Sequence, residues 1–178
     1  MGFAKELRKG KINASSSKEG MELILVLDNV YDTFNIGGMY RIGDAAGVTE
    51  IMHGENTPPG PDPKISRSSV GLDKYIPHSY QPNLKVYLQE KKAEGYFLIS
   101  LEQTETSKLY DEVNYRLAAK DKKGIILLSG NETFGVQEEL TALADLVVEL
   151  PMYGINKSLN VVVATGIVLY EIGRSVRK

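Results

Sequence analysis

Residues 22–47 read ELILVLDNVYDTFNIGGMYRIGDAAG, and this stretch contains one complete strand–helix unit. The segment 22–28 is almost entirely apolar, which is typical of a strand that is buried on both faces of a sheet. Apolar residues then recur near helical spacing over 35–46, and Gly47 predicts the end of that helix. Such a unit favours a parallel sheet that carries helices.

Strand and helix patterns alternate along the rest of the chain. Further strands are predicted at 49–54, 75–80, 96–101, 124–129 and 145–150, and helices at 3–11, 84–94, 136–144 and 159–174. The proline-rich segment 55–63 and the segment 64–74 are predicted to be loops. We therefore expect an α/β fold, a mostly parallel sheet covered by helices on both faces. It would form one domain, residues 21–178, after a short basic extension, residues 1–20.

The composition is that of a protein with a sizeable core, since 42% of its 178 residues are hydrophobic and 25% are charged. The chain has no cysteine, and His53 and His78 are too few and too isolated to predict a metal cluster. No segment resembles a signal peptide or is long enough to span a bilayer, so we expect a cytoplasmic protein. The net charge of −2 neither indicates nor excludes a nucleic-acid partner.

A first polar segment, NIGGMYR at 35–41, follows the first strand, at the sheet edge where ligands bind in parallel folds. Asn35 stands where a helix N-cap belongs, which is the structural alternative to a role in binding. The two glycines cost the helix about 1 kcal/mol each relative to alanine, which indicates close approach by another backbone or a ligand. For Arg41 the alternative is a surface ion pair with Asp44.

Two more polar segments follow later strands. GNETFG at 130–135 is a glycine-bounded loop that can admit a nucleotide-like ligand, and Glu132 has the alternative of stabilising the next helix N-terminus. In PMYGINKSLN at 151–160, Ser158 has the alternative of an N-cap. Asn160 fits a cap less well, because an amide in the first turn of so apolar a helix needs a specific partner.

The three segments together supply arginine, glutamate, serine and asparagine, without a nucleophile paired with a histidine base. Such a set suits the positioning and electrostatic stabilisation of a reacting group. Their convergence on one sheet edge favours a functional site over the separate structural roles.

In order and spacing, these segments resemble the three motifs of the SpoU (TrmH-like) family of RNA 2′-O-ribose methyltransferases. The patterns are Asn-x-Gly-x-x-x-Arg at 35–41, Gly-x-Glu-x-x-Gly at 130–135, and Pro-Met-x-Gly followed by Ser-Leu-Asn-Val at 151–161. Two departures, Phe34 in place of proline and Val162 in place of a small polar residue, lie outside the catalytic set. The resemblance implies a SPOUT fold with a deep C-terminal trefoil knot, a homodimer, S-adenosyl-L-methionine as cofactor and RNA as substrate.

The same resemblance implies roles for individual residues. The implied catalytic residues are Arg41, Asn35, Glu132, Ser158 and Asn160. The residues implied to hold the cofactor are Ile99, Ser100, Leu101, Gly130, Asn131, Leu150, Met152, Ser158, Leu159 and Asn160. Arg41 would act on the ribose 2′-hydroxyl, from its own or the neighbouring subunit, as a cation that stabilises the alkoxide, because arginine is a poor base. No metal is required, since the sulfonium leaves as a neutral thioether.

The substrate is less defined by the sequence. Arg41, with Lys64 and Arg67 from the segment 64–74, is a candidate to bind RNA, and the alternative for that segment is an ordinary flexible surface loop. The short N-terminal extension has no room for a separate recognition domain, which favours tRNA over rRNA. A non-catalytic RNA- or nucleotide-binding module on the same fold is the main alternative. A flavin or nicotinamide binder lacks the expected glycine fingerprint.

Overall fold

The protein is described by a computed structural model that covers residues 21–176. The strands in this range are β1 (Glu22–Leu27), β2 (Glu50–His53), β3 (His78–Tyr80), β4 (Tyr96–Leu101), β5 (Lys108–Leu109), β6 (Gly124–Ser129) and β7 (Leu146–Glu149). The helices are α1 (Thr33–Ala46), α2 (Pro63–Ser68), α3 (Leu84–Ala93), α4 (Tyr115–Ala118), α5 (Glu138–Thr141) and α6 (Val161–Val176), with a 3-10 turn at Leu72–Lys74. The predicted basic extension, with its short helix at 3–11, lies outside the described residues.

All strands of the described chain belong to one sheet, in the order β3-β2-β1-β6-β4-β7-β5. Every neighbouring pair is parallel. Strands β1, β6, β4 and β7 are therefore adjacent, and their carboxyl ends share one edge. The loops after these four strands are the ones in which sequence reasoning placed the ligand, and the predicted α/β class is confirmed.

The sheet has a hydrophobic core on each face. Adjacent residues of β1 alternate between them: Leu25 packs in the cluster that contains α1 and α6, whereas Ile24 packs in the cluster that contains α3 and α5. Burial of each such aliphatic side chain stabilises the folded state by roughly 1.5–3 kcal/mol relative to leaving it exposed to water. Burial on both faces explains why the central strands are continuous apolar runs.

Close packing explains the paired glycines of α1. A Cβ on Gly37 would lie 2.0 Å from Ser68 Oγ and 2.7 Å from the Ser69 backbone nitrogen. A Cβ on Gly38 would lie 2.9 Å from Val162 Cγ1 of α6. The close approach that the sequence indicated is therefore made by neighbouring parts of the fold, and it fixes the position of α1 against α2 and α6.

The helix boundaries correct two of the structural alternatives. Helix α1 begins at Thr33, and its N-cap is Asp32, whose side chain accepts the Phe34 N–H at 2.8 Å, so Asn35 is not the cap. Helix α6 begins at Val161. The residue that caps it is Asn160, whose Oδ1 accepts the Val162 N–H at 2.9 Å, and Ser158 lies too far upstream to do so.

The segment 64–74 is not the predicted loop. Asp62 Oδ1 accepts the N–H of Lys64 at 2.6 Å and that of Ile65 at 3.3 Å, and Pro63 occupies the first turn, so this segment starts a helix. Burial of Ile65 anchors α2 in the core on the α1 side of the sheet. None of the helices between residues 21 and 176 combines the length and the apolar character that crossing a bilayer requires.

Candidate functional site

A chain of side-chain hydrogen bonds centred on Asn35 joins three loops at the carboxyl edge of the sheet. Asn35 Nδ2 donates to Glu132 Oε1, and Asn35 Oδ1 accepts from Asn160 Nδ2 at 3.1 Å. Asn35 lies in the first turn of α1, Glu132 in the loop after β6, and Asn160 in the segment after β7. A carboxylate only accepts hydrogen bonds, which fixes the orientation of the Asn35 amide. One residue from each polar segment thus belongs to one network.

Asn160 fulfils two roles at once. Its Oδ1 caps α6, as described above, while its Nδ2 donates to Asn35. The amide therefore has the specific partner that its position in an apolar segment requires. Replacing it would disturb both the start of α6 and the network.

The loop 130–135 is a tight, self-bonded turn. The backbones of Asn131 and Gly135 bond to each other in both directions, at 3.0 and 2.8 Å. Asn131 Oδ1 also accepts the N–H groups of Thr133 at 2.8 Å and Phe134 at 3.0 Å. Gly135 has φ of 71°, in the left-handed region that favours glycine. The turn holds Glu132 in reach of Asn35.

A cavity of about 320 Å³ lies between the loops that follow β4, β6 and β7. This volume is at the lower end of the range for small-molecule pockets, roughly 300–1,000 Å³. Its lining combines the glycine-loop backbone with apolar side chains, notably Leu101, Leu150, Met152 and Leu159. Carboxylates of Glu102, Glu132 and Glu149, and the ammonium of Lys157, supply charge. The cavity therefore suits a ligand with a flat apolar part and cationic groups.

Most of the residues expected to bind the cofactor line this cavity. They are Leu101, Gly130, Asn131, Leu150, Met152, Ser158 and Leu159. Ile99 and Ser100 do not line it, because they lie inside β4, where Ile99 packs in the core and the Ser100 hydroxyl bonds Thr141 Oγ1 at 3.1 Å. Asn160 also lies outside the lining, and two hydrogen bonds connect it through Asn35 to the lining residue Glu132.

Arg41 is placed differently from the rest of the catalytic set. It lies on α1 with an exposed side chain, and it does not line the cavity. Within residues 21–176 its guanidinium forms no ion pair or hydrogen bond, so the ion pair with Asp44 is not made. An exposed, unpaired cation is available to a partner outside the chain.

Lys64 and Arg67 are exposed on α2, which packs against α1 through Gly37 and Ser68. The Ser68 hydroxyl beside them is engaged within the chain, because its Oγ donates to the Thr33 carbonyl at 2.9 Å. The two cations, in contrast, are on the surface of a fixed helix rather than on a flexible loop.

Sequence reasoning missed several residues of the site. Glu102 lines the cavity and accepts the Val136 N–H at 2.8 Å, and Glu149 accepts the Ser107 hydroxyl at 2.9 Å. Asp28 accepts both the backbone N–H of Gln137 at 2.7 Å and its side-chain Nε2 at 2.8 Å. All three carboxylates lie at the carboxyl ends of strands, and this position was the available signal.

Burial controls the charge of two groups near this edge. Burial raises the pKa of Asp28, and the two hydrogen bonds from Gln137 oppose that effect. Burial lowers the pKa of His53 to about 4, although its hydrogen bond to the Pro58 carbonyl acts in the other direction. His53 Nδ1 donates to that carbonyl at 2.8 Å, so Nε2 accepts the Tyr40 hydroxyl, also at 2.8 Å. Neutral His53 thus fixes the side chain that precedes Arg41.

The parallel sheet and the cavity at its carboxyl edge define an α/β protein with a ligand site at that edge. The model of the SpoU rRNA Methylase family matches residues 22–170, and the chain belongs to that family. A curated relative, the tRNA (guanosine(18)-2′-O)-methyltransferase of Thermus thermophilus, is 32% identical over 169 residues, which are 95% of this chain and 83% of that protein.

Solved structures show the same likeness. The TrmH/SpoU tRNA modifying enzyme of A. aeolicus superposes with a TM-score of 0.80 at 32% identity, covering 96% of this chain and 83% of that one. The AdoMet-bound rRNA methyltransferase of Sinorhizobium meliloti superposes with a TM-score of 0.78 at 29% identity, covering 88% of this chain and 57% of that one.

Proposed function

We propose that this protein transfers a methyl group from S-adenosyl-L-methionine to a ribose 2′-hydroxyl of RNA, with tRNA as the substrate. The observation that carries the proposal is the hydrogen-bonded chain from Glu132 through Asn35 to Asn160, which links the three motif segments beside one cavity. The similar tRNA methyltransferase, of which this chain spans 83%, supports tRNA over rRNA. A cytoplasmic location is part of the proposal, because tRNA is available there as a substrate.

The cavity fits the proposed cofactor in three ways. Leu101, Leu150 and Leu159 offer apolar contact to an adenine, and the glycine loop brings its backbone to the cavity wall. The carboxylate of Glu149 suits the positive charges of the amino acid and the sulfonium. When bound there, the cofactor supplies an electrophilic methyl carbon.

The chain's own residues then position the nucleotide. Asn35 and Glu132 shape the place beside the cavity where the nucleotide binds. Ser158, which lines the cavity, and Asn160, which bonds Asn35, connect the cofactor to that place. Arg41 stabilises the alkoxide that develops on the 2′-oxygen and grips a phosphate, as an arginine fork does. The hydroxyl proton leaves to water or phosphate, because a guanidinium is protonated at any working pH. None of these roles requires a metal ion.

A homodimer is part of the proposal, because Arg41 lies outside the cavity of its own chain. The partner's copy of this arginine would complete each site. Exposed apolar side chains on α1 and α6 support such an interface: Phe34 is 70% exposed, Val163 49% and Tyr170 57%. Large exposed apolar groups of this kind mark protein interfaces.

The domain plan and the knot complete the proposal. Residues 21–178 form one methyltransferase domain, and residues 1–20 add a basic segment that assists RNA binding together with Lys64 and Arg67. The sheet order supports a C-terminal trefoil knot, because β7 lies between β4 and β5, which both precede it in the chain. In such a knot, the segment after β7 would pass through the connection between β4 and β5 on its way to α6.

The experiment that tests the function is transfer of radiolabelled methyl groups to tRNA and, separately, to rRNA from cells that lack this protein. The expected result is incorporation into tRNA by the wild type and a loss of at least about 100-fold in Arg41→Ala. Binding of S-adenosyl-L-methionine without any incorporation, together with stoichiometric RNA binding, would support the non-catalytic module instead. Incorporation into rRNA alone would overturn the choice of tRNA.

A further inference from the structure

Two consecutive residues at the end of β4 contact both loops that border the cavity. Glu102 Oε2 accepts the Val136 N–H at 2.8 Å, across 34 positions of sequence. Gln103 Nε2 donates to the Lys157 carbonyl at 3.2 Å, across 54 positions. Val136 ends the glycine loop after β6, and Lys157 belongs to the segment after β7. These contacts tie three separate walls of the cavity together.

Two further hydrogen bonds to backbone groups hold Glu102 in place. Its Oε1 accepts the N–H of Gln103 at 2.9 Å, which orients the carboxylate, and its own N–H bonds the Val148 carbonyl of β7 at 3.0 Å. A Cβ on Gly135 would lie 1.9 Å from Glu102 Oε2, so the glycine lets the carboxylate reach Val136. The carboxylate therefore occupies the space that a side chain at position 135 would fill.

The next N–H of the same loop is also held by a carboxylate. Gln137 donates its backbone N–H to Asp28 Oδ2 at 2.7 Å, on the side of β1. Glu102 from β4 and Asp28 from β1 thus hold adjacent amides and fix the end of the glycine loop between them. Glu102 is the one of the two that lines the cavity.

We propose that Glu102 and Gln103 act as positioning residues that set the width of the cofactor cavity, because they hold the glycine loop and the Lys157–Leu159 segment at a fixed separation. This inference rests on the proposed function for its ligand. A hydrogen bond to a charged group contributes enough that its loss weakens a dependent binding equilibrium by about tenfold or more. The cofactor should therefore bind less tightly when the contact is removed, while RNA binding is unaffected.

The test measures the Kd of S-adenosyl-L-methionine by calorimetry for four variants of the full chain. We expect Glu102→Ala to weaken binding by at least about tenfold and Gln103→Ala by about threefold. Glu102→Gln should stay within about threefold of wild type, because its side-chain carbonyl still accepts the Val136 N–H. Glu105→Ala, three residues further on with an exposed side chain, is the matched control and should not change the Kd.

Two further readouts separate positioning from general destabilisation. Kinetic measurements should show a raised KM for the cofactor in Glu102→Ala with the KM for RNA unchanged. Hydrogen exchange at the Val136 amide should be at least about tenfold faster in that variant, and near the wild-type rate in Glu102→Gln. If Glu102→Ala does not fold, Glu102→Gln and Gln103→Ala carry the test.

The proposal is overturned if folded Glu102→Ala binds the cofactor within twofold of wild type. It is also overturned if Glu102→Gln is as impaired as Glu102→Ala, because charge rather than the hydrogen bond would then matter. A wild type that binds no S-adenosyl-L-methionine refutes the proposed function, whereas exchange at Val136 still decides whether the two residues hold the loop.

Discussion

Asn160 Nδ2 lies 3.1 Å from Asn35 Oδ1, a hydrogen bond between residues 125 positions apart in the sequence. Asn35 in turn donates to Glu132, so its amide has one acceptor and one donor already engaged. The contact places the start of α1 against the start of α6. It is the physical link by which three separate polar segments form one site.

Replacement of the Asn35 amide by a carboxylate of the same shape should impair methyl transfer. In Asn35→Asp the Nδ2 donor is lost and a second carboxylate faces Glu132, so methyl transfer should fall by at least about tenfold. The measurement is kcat/KM for tRNA, with the melting temperature recorded alongside. Asn114→Asp is a matched control, because Asn114 caps α4 through an oxygen that aspartate retains. Equal activity of both variants would refute the role of Asn35.

Gly135 should be sensitive for two reasons, of which only one applies to Gly95. Both have positive φ, 71° and 96°, but a Cβ on Gly135 would lie 1.9 Å from Glu102 Oε2, whereas a Cβ on Gly95 meets nothing within 4 Å. Alanine at Gly95 should cost about 1–2 kcal/mol from backbone strain alone. Alanine at Gly135 should cost more and also weaken cofactor binding. Denaturant unfolding and calorimetry measure the two effects, and equal costs would contradict the close contact.

Mixed dimers can show whether Arg41 acts across the interface. Arg41→Ala and Asn160→Ala should each be inactive alone. After subunit exchange, a mixed dimer has one intact site if the arginine comes from the partner, so activity should return to about a quarter of wild type. Mixed samples that stay inactive after proven exchange would place Arg41 in the site of its own chain. Two different affinity tags on the two variants, recovered together in consecutive purification steps, provide the control for exchange.

His53 should make the fold less stable in acid. Its pKa in the folded protein is about 4, below the ordinary 6.5, because the ring is buried. Between these values the unfolded chain binds a proton that the folded chain does not, so stability falls as the pH drops from about 6.5 to about 4. The loss approaches roughly 3 kcal/mol at the acid end. Urea unfolding across this range measures it, and His53→Gln should flatten the profile.

A histidine NMR titration checks the same point directly. The chain has two histidines, so the His53 and His78 resonances can be assigned with one variant. A His53 resonance that titrates near 6.5 would contradict the buried, neutral ring that bonds Tyr40 and Pro58.

Local patterns were sufficient where an element is long and evenly apolar. The bounds of β4 and β6 coincide with the predicted 96–101 and 124–129, because each is a largely apolar run that a glycine precedes or opens. Two-residue β5 has too little sequence for any period, and it was missed. Helix α2 was missed because the prolines before it suggested a loop, although one of them opens the helix after its Asp62 cap.

At the site, contacts between residues far apart in the sequence limited what could be predicted. The motif segments identified Asn35, Glu132 and Asn160 as site residues. The tendency of ligands to bind at the carboxyl ends of parallel strands predicted the sheet edge at which they meet. The position after β4 could have drawn attention to Glu102, but the contacts of Glu102 and Gln103 are made with partners 34 and 54 positions away, which no local pattern identifies. Ile99 and Ser100 illustrate the opposite case, in which a predicted site residue does not belong to the site. Both lie inside β4, before the edge of the sheet, and their side chains are buried.

The chemical position of the transferred methyl group tests the central claim most directly. Unmodified tRNA is incubated with the wild type and S-adenosyl-L-methionine, digested to nucleosides and analysed by mass spectrometry. We expect a 2′-O-methylated nucleoside that resists alkaline cleavage on its 3′ side and is lost in Arg41→Ala. A methyl group on a base, or a ribose methyl that persists without Arg41, would contradict it.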